Sequence, residues 1–231
     1  MKRAAVLLDV DGAIVHSVPE LYRTICVMWL ELYGTPFPLT EEEFTAERPN
    51  ITTMESYFAI INRILEGRGV SGLRSPAEEN KAFYAARAKR IATDKATWLG
   101  ENRLYYGVPA MMEGLRAAGI TIAVVSSKNE DAIRELFAHH GTLRFVDGCI
   151  IGLEKSKERE RQFELALQTL QIPAGDCLAY DDASANLLIA QRMGIIPVGA
   201  PQGYCKPHEL DAFTCARPTE LPDLARRLLG V

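Results

Sequence analysis

Five short apolar runs punctuate the chain, at residues 4–12, 120–125, 148–152, 177–180 and 195–199. The first reads Ala4, Ala5, Val6, Leu7, Leu8, Asp9, Val10, Asp11, Gly12 and shows none of the apolar/polar alternation of a half-exposed strand. A Val- and Leu-rich run of about four to eight residues bounded by Gly is the pattern of a strand buried on both faces of a parallel sheet. Between the later runs the apolar spacing becomes helical. Residues 111–118 are amphipathic and stop at Gly119, a good C-cap residue. Residues 130–139 follow Ser127, which with Glu130 makes a Ser-x-x-Glu capping box. Residues 161–170 place Phe163, Leu167 and Leu170 on one stripe, and 187–193 closes at Gly194. Strand and helix alternate from residue 103 onward, which predicts an α/β fold built on a doubly wound parallel sheet.

Residues 17–100 break that alternation. Their periodicity is helical over 18–33, 41–48, 53–66 and 76–94, with breakers at Gly34, Pro36, Pro38, Pro49 and around 67–75. A crossover between parallel strands needs only about a dozen residues, so this stretch is an insertion. The predicted organisation is an α/β core domain of residues 1–16 and 101–231 and a helical domain of residues 17–100. Neither internal repeats nor low-complexity segments are present.

Composition narrows the function classes. Of 231 residues, 48% are apolar, enough for one large or two small cores. The net charge of −4 and the lack of a basic block argue against a nucleic-acid partner. Five cysteines (Cys26, Cys149, Cys177, Cys205, Cys215) have no Cys-x-x-Cys spacing, and several lie in apolar runs, which fits small core residues in a reducing, cytoplasmic setting. The first ten residues are too short and too acidic for a signal peptide, and no run approaches the ~20 apolar residues of a membrane span.

Against this background the two acids that end the first run carry the chemistry. Ligands of α/β sheets sit outside the carboxyl ends of the strands, and side chains at i and i+2 of a strand share a face, so Asp9 and Asp11 can act on one substrate atom if extension continues that far. A calcium loop starting at Asp9 is excluded, because Ala13 and Ile14 stand where an acid and a Gly are required. Three further positions belong to the same end of the predicted sheet. Ser126 follows the 120–125 strand and is left free if Ser127 caps the next helix. Asp181 and Asp182 follow the 177–180 strand, and Lys157 precedes the helix containing Phe163. Four acids at two strand ends cannot stay ionised together without a cation, and oxygen-only ligation points to Mg²⁺. A carboxylate nucleophile, a second acid, a hydroxyl and a lysine around one Mg²⁺ make a phosphoryl-transfer site. His139 and His140 are set aside as a helix C-terminus, since adjacent helical positions point apart.

An ordered series of motifs carries a family resemblance. Asp9-Val10-Asp11-Gly12 with Ser17-Val18-Pro19-Glu20, Tyr106-Gly107-Val108-Pro109 with residues 114–119, Val124-Val125-Ser126-Ser127-Lys128, and Tyr180-Asp181-Asp182 with Asn186, Ala190, Met193 and Gly194 resemble the haloacid dehalogenase superfamily. The match is to its phosphatase-like members with a helical cap, the phosphoglycolate phosphatase and β-phosphoglucomutase-like branch. The resemblance implies a Rossmann-like core with an α-helical cap domain inserted after the first motif. It implies Asp9 as the nucleophile that forms an aspartyl-phosphate and Asp11 as acid and then base. Mg²⁺ would be held by the Asp9 and Asp182 carboxylates and the Asp11 carbonyl, with Asp181 beside them, and the phosphoryl oxygens by Ser126 and Lys157. For the lysine, Lys155 competes with Lys157, which the spacing to the following helix favours. Substrate contacts are expected from Ser127, from His16 at the hinge, and from Arg48, with Asn50 and Thr52, in a cap loop.

Several features depart from the family pattern: Ala13 where Thr is usual, His16 where Asp often precedes the Ser, Asp181 where many relatives have Gly, Asn186 where an acid is frequent though Asn also occurs, and no Lys-Pro at the third motif. The expected function is a Mg²⁺-dependent phosphatase of a small phosphorylated metabolite. The alternatives are a phosphoglucomutase-like phosphotransferase, against which Leu21 stands where such relatives carry His, and a non-catalytic binding protein of the same fold.

Overall fold

The computed structural model describes residues 3–46, 53–200, 202–203 and 213–231. In chain order the elements begin with β1 (Ala5–Leu8), β2 (Val15–His16), α1 (Val18–Tyr33), α2 (Glu41–Ala46), α3 (Met54–Gly67), α4 (Pro76–Thr93), α5 (Lys95–Glu101) and β3 (Arg103–Leu104). They continue with α6 (Val108–Ala117), β4 (Thr121–Val125), α7 (Glu130–His139), β5 (Ile150–Ile151), α8 (Arg159–Leu170), β6 (Cys177–Asp181), α9 (Ser184–Arg192), β7 (Ile196–Gly199), β8 (Phe213–Thr214) and α10 (Leu221–Leu229). The chain divides into two compact units, Met1–His16 with Leu104–Val231, and Ser17–Arg103.

The first unit is an α/β layer structure. Its six strands are parallel and lie in the order β5-β4-β1-β6-β7-β8. The chain builds outward from β1 through β4 to β5, then returns to the other side of β1 for β6, β7 and β8. The strand order therefore reverses between β1 and β6, which is where a doubly wound sheet opens its ligand crevice. Register aligns the strand ends, with Leu8 opposite Val124 on one side and Tyr180 on the other.

Alternation along each strand divides the side chains between two faces. Ala5, Leu7, Ala123, Val125, Cys177 and Ala179 pack with Phe163, Ala166 and Leu170 of α8 and Ala190 of α9. Val6, Leu8, Ile122, Val124 and Leu178 supply the other row and are equally buried. Helices α6 and α10 pack on β4 and β6 and on each other. Four of the five cysteines, Cys26, Cys149, Cys177 and Cys215, are free, and Cys205 lies outside the described residues. Burial pushes the Cys149 thiol up to about 11 and that of Cys177 up to about 12, so both behave as small core residues.

The second unit is helical. Helices α1 to α4 enclose an aromatic core of Trp29, Phe37, Phe44, Tyr57, Phe58 and Phe83 with Ile25, Ile61 and Leu65. Local signals set the helix ends. Capping boxes start α3 (Thr53 with Ser56) and α4 (Ser75 with Glu78), and Gly34, at φ +69°, closes α1 in the left-handed region. The unit also buries charge. Glu20 accepts hydrogen bonds from Arg87 Nε at 3.0 Å and Nη2 at 2.8 Å and from Thr24 Oγ1 at 3.0 Å. Arg90 pairs with Glu101 at 2.6 Å and donates to Thr24, and Arg23 reaches the other Glu101 oxygen at 2.7 Å. Among the described residues no helix is long and apolar enough to cross a membrane.

The structure departs from the sequence reading in several places. The first strand stops at Leu8, four residues short of Gly12. Helix α5, strand β8 and helix α10 were not expected. For α10 the signal is present: Leu221, Ala225 and Leu229, four apart, form its buried stripe behind Pro222. The Ser127–Glu130 capping box does not form. Helix α7 is capped from a distance by Glu154, which accepts from the Glu130 backbone N–H at 3.0 Å and from Asn129 Nδ2 at 2.7 Å.

Candidate active site

Three side chains at the strand-order reversal are acids. The facing oxygens of Asp9, Asp181 and Asp182 lie within 4.8 Å of one another, and all three residues are buried. Register explains the meeting. Asp9 continues the odd-numbered row of β1, and Asp181 ends the same row of β6, with the Asp9 N–H held on the Tyr180 carbonyl at 3.0 Å. That row faces α8. The first residue of α8, Arg159, therefore reaches both strands, with Nη2 at 3.0 Å from Asp9 Oδ1 and 3.8 Å from Asp181 Oδ2, while Nη1 donates to the Val125 carbonyl at 2.6 Å.

Asp11 lies two residues beyond Asp9, where the chain enters a turn. After Leu8 the chain folds into a tight turn in which the Ile14 and Val15 N–H groups donate to the Val10 carbonyl and Gly12 N–H donates to Val15. Gly12 sits at φ +90°, a left-handed conformation that a side chain would strain. The Asp11 carboxylate lies 3.1 Å from the ammonium of Lys128, a lysine that is itself buried, and is close enough to Asp9 for its charge to be felt there. A second glycine, Gly203, closes the turn from outside. A Cβ there would lie 2.3 Å from the Gly12 carbonyl oxygen and 2.4 Å from Asp182 Cβ, so only glycine fits. Beside it Gln202 Nε2 donates to the Ala13 carbonyl and to the Tyr180 hydroxyl, both at 2.6 Å.

The other sequence-derived positions divide. Ser126 is buried directly after β4, with its N–H on the Ile151 carbonyl at 3.0 Å. Asp181 is strongly tied within its own turn, accepting from the Ala183 N–H at 2.8 Å and from Asn186 Nδ2. Ser127, Lys155 and Lys157 are exposed. The cation that touches Asp9 and Asp181 is Arg159, two residues after Lys157. Sequence reading passed over it in favour of the lysines, although it stands four residues before the buried Phe163, on the same helical stripe. His16 is half-buried at β2 with its ring 5.7 Å from that of Tyr105. Arg48, Asn50 and Thr52 lie outside the described residues.

Electrostatics follow from this packing. Burial drives the Asp9 carboxyl well above its ordinary value, Asp181 pushes it further, Arg159 opposes, and Asp182 and Asp11 add to the rise. Asp181 is likewise raised by burial against the pull of Arg159. The Arg159 guanidinium is held above its usual value by Asp9 and Asp181 despite its own desolvation. A buried all-oxygen cluster that the protein's own cations leave under-neutralised suits a hard divalent cation. Among the described residues, Asp9, Asp181 and Asp182 form a group able to hold one.

Comparison with known proteins identifies the family and the fold. A family model for haloacid dehalogenase-like hydrolases matches residues 4–194. The phosphoglycolate phosphatase of Cereibacter sphaeroides (strain ATCC 17029) is 27% identical over 229 residues, covering 97% of this chain and 99% of that protein. Among solved structures, a haloacid dehalogenase-like hydrolase from Streptococcus pneumoniae superposes with a TM-score of 0.75 at 19% identity, covering 96% of this chain and 98% of its own. A variant of CbbY from Rhodobacter sphaeroides, solved in complex with xylulose-1,5-bisphosphate, gives 0.69 at 18% identity, covering 95% and 96%.

Proposed function

Because the chain belongs to the haloacid dehalogenase-like hydrolases, we propose that it is a Mg²⁺-dependent phosphatase that hydrolyses a small phosphorylated metabolite through an aspartyl-phosphate on Asp9. The observation that carries this reading is the buried meeting of Asp9, Asp181 and Asp182 at the strand-order reversal, with Arg159 on Asp9.

In the proposed reaction an Asp9 oxygen attacks phosphorus and the bond from phosphorus to the substrate oxygen breaks. Asp11 gives its proton to the departing alkoxide. Asp11 then takes a proton from water, the water oxygen attacks the phosphorus of the aspartyl-phosphate, and the Asp9 carboxylate returns with release of inorganic phosphate. Arg159 and Ser126 are assigned to the phosphoryl oxygens, as donors aimed at charge that is displaced during transfer. Arg159 takes the part that spacing had given to Lys157, since its guanidinium is the group in contact with Asp9. A divalent cation held by Asp9, Asp181 and Asp182 supplies, when bound, the charge neutralisation that two protein cations cannot provide alone. Mg²⁺ is the hard ion that suits carboxylate, carbonyl and water ligands beside a phosphate.

Phosphoglycolate, named for the Cereibacter relative, is the first substrate to test. The free cysteines support a reducing, cytoplasmic setting. Purified protein with Mg²⁺ is expected to release phosphate from p-nitrophenyl phosphate and from small phosphorylated acids or sugars. Chelation by EDTA is expected to stop it, and turnover that continues in EDTA would contradict the metal dependence.

A further inference from the structure

We infer that Gln162 is a positioning residue for phosphoryl recognition: it locks α8 to the end of β4 so that Arg159 and Ser126 keep one spacing around Asp9. The inference rests on the phosphatase reading above and goes beyond it, since neither the motifs nor the acids of the site involve this residue.

Gln162 is polar yet buried in the first turn of α8, on the face that continues with the apolar Phe163, Ala166 and Leu170. Burying a carboxamide is costly unless its groups find partners. Its Nε2 donates to the Ser126 carbonyl at 2.9 Å and to the Ser156 carbonyl at 2.8 Å, with the Gly152 carbonyl at 3.5 Å. Those carbonyls belong to three separate pieces of the site wall: the end of β4, the residue after β5, and the loop that leads into α8. One side chain therefore supplies donors to the Ser126 and Ser156 carbonyls, while the Gly152 carbonyl is held chiefly by the Lys155 N–H at 3.1 Å.

The neighbouring geometry gives this tie its consequence. Arg159 stands three residues earlier on the same face of α8. Its Nη1 takes the Val125 carbonyl at 2.6 Å, and Gln162 takes the next carbonyl, that of Ser126. Two successive carbonyls at the end of β4 are thus read by two side chains of one helix. This double clamp sets where α8 begins relative to β4, and so where the second guanidinium nitrogen meets Asp9 at 3.0 Å. Without the amide, Arg159 keeps its charge but loses the frame that aims it, and the Ser126 backbone loses its tether. The group that binds phosphate and the group that orients it are then different residues, as is common where an outer hydrogen bond tunes an inner one.

The test uses the intact chain with Mg²⁺, p-nitrophenyl phosphate as substrate and inorganic phosphate as competing ligand. Gln162→Met keeps the length and apolar fit of the side chain and removes the donors. It is expected to weaken inhibition by inorganic phosphate on the order of tenfold and to raise KM by a similar factor, with kcat changed less. Leu170→Ala, at the far end of α8, provides the control for a merely loosened helix. It is expected to lower the thermal midpoint at least as much as Gln162→Met while leaving phosphate inhibition as in wild type. Equal phosphate affinity in Gln162→Met and wild type overturns the inference, and so does an equal loss in Leu170→Ala. A wild-type protein that neither turns over the ester nor binds phosphate overturns the phosphatase reading instead, and this inference falls with it.

Discussion

Glu20 in the helical unit and Asp9 in the α/β unit are both buried carboxylates in contact with an arginine, but their surroundings differ in kind. Glu20 meets Arg87 through two hydrogen bonds, at 3.0 and 2.8 Å, and the nearby Glu101 is shared by Arg90 and Arg23. Asp9 has one bond to Arg159, at 3.0 Å, and feels three more acids, Asp181, Asp182 and Asp11. In the helical network, two acids face three arginines among the described residues, so neither acid is left without a cation. At the strand ends four acids face Arg159 and Lys128 among the described residues, and that set is net negative. A buried network that closes on itself holds a fold in one arrangement, whereas one that needs an outside cation is organised for binding.

Breaking the nucleophile has the largest expected effect. Asp9→Asn should lower phosphatase turnover by roughly a thousandfold or more with the fold intact by circular dichroism, whereas Glu20→Gln should change stability and leave the chemical step running. Turnover by Asp9→Asn near the wild-type level would remove Asp9 from the mechanism.

The helical network is broken next. Arg87→Ala leaves Glu20 buried without its guanidinium and is expected to cost about 3–5 kcal/mol in denaturant unfolding. Replacing both partners with Met should restore most of that loss, because removing a buried pair together leaves no orphaned charge. If the double substitution is as unstable as the single one, the network matters for more than its own neutralisation.

The cations of the α/β unit sharpen the comparison further. Arg159→Met should reduce kcat/KM by about a hundredfold, the usual scale for one donor to a developing oxyanion, and Lys157→Met should have less than about a threefold effect, as expected of an exposed lysine. The reverse ranking would return the role to Lys157.

The smallest effect concerns Glu79 of the helical unit, which has no arginine hydrogen-bonded to it among the described residues. Burial raises its carboxyl above the ordinary 4.5, against the hydrogen bonds from Tyr33 and Asn62. A raised folded value means that the native state holds its proton more tightly than the unfolded chain. The associated stability is present below about pH 4.5 and is lost as pH rises through the raised value. Glu79→Gln should therefore gain on the wild type as pH rises above the ordinary carboxylate value of 4.5. Denaturation at several pH values checks it, and a difference that shrinks as pH rises contradicts the sign.

How much of this was legible in the sequence depended on the range of the signal. Parallel strands and their helices announce themselves through local periodicity, and α1 and α7 were anticipated over the spans they occupy. Asp9, Ser126, Asp181 and Asp182 could be singled out because strand register brings strand ends together without any knowledge of loops. Three features could not be read in this way. Arg159 competed with nearby lysines, and only the orientation of α8 on the odd-numbered face of the sheet separates them. Lys128 belongs to the motif that follows the 120–125 strand, but its pairing with Asp11 is set by packing and has no local signal. Gly203, Gln202 and Gln162 act on backbone groups far away in sequence, so nothing in their own neighbourhoods marks them. The capping of α7 failed for the same reason, since a remote Glu154 took the place of a local Ser127.

The central claim is that the acids at the strand ends form a cation site that the chain alone leaves incomplete. Calorimetric titration of the metal-free protein with Mg²⁺, in parallel with Asp182→Asn and Glu20→Gln, tests it most directly. The predicted result is saturable binding of a single Mg²⁺ by the wild type and by Glu20→Gln, with binding lost in Asp182→Asn. Absence of binding by the wild type, or undiminished binding by Asp182→Asn, would contradict it.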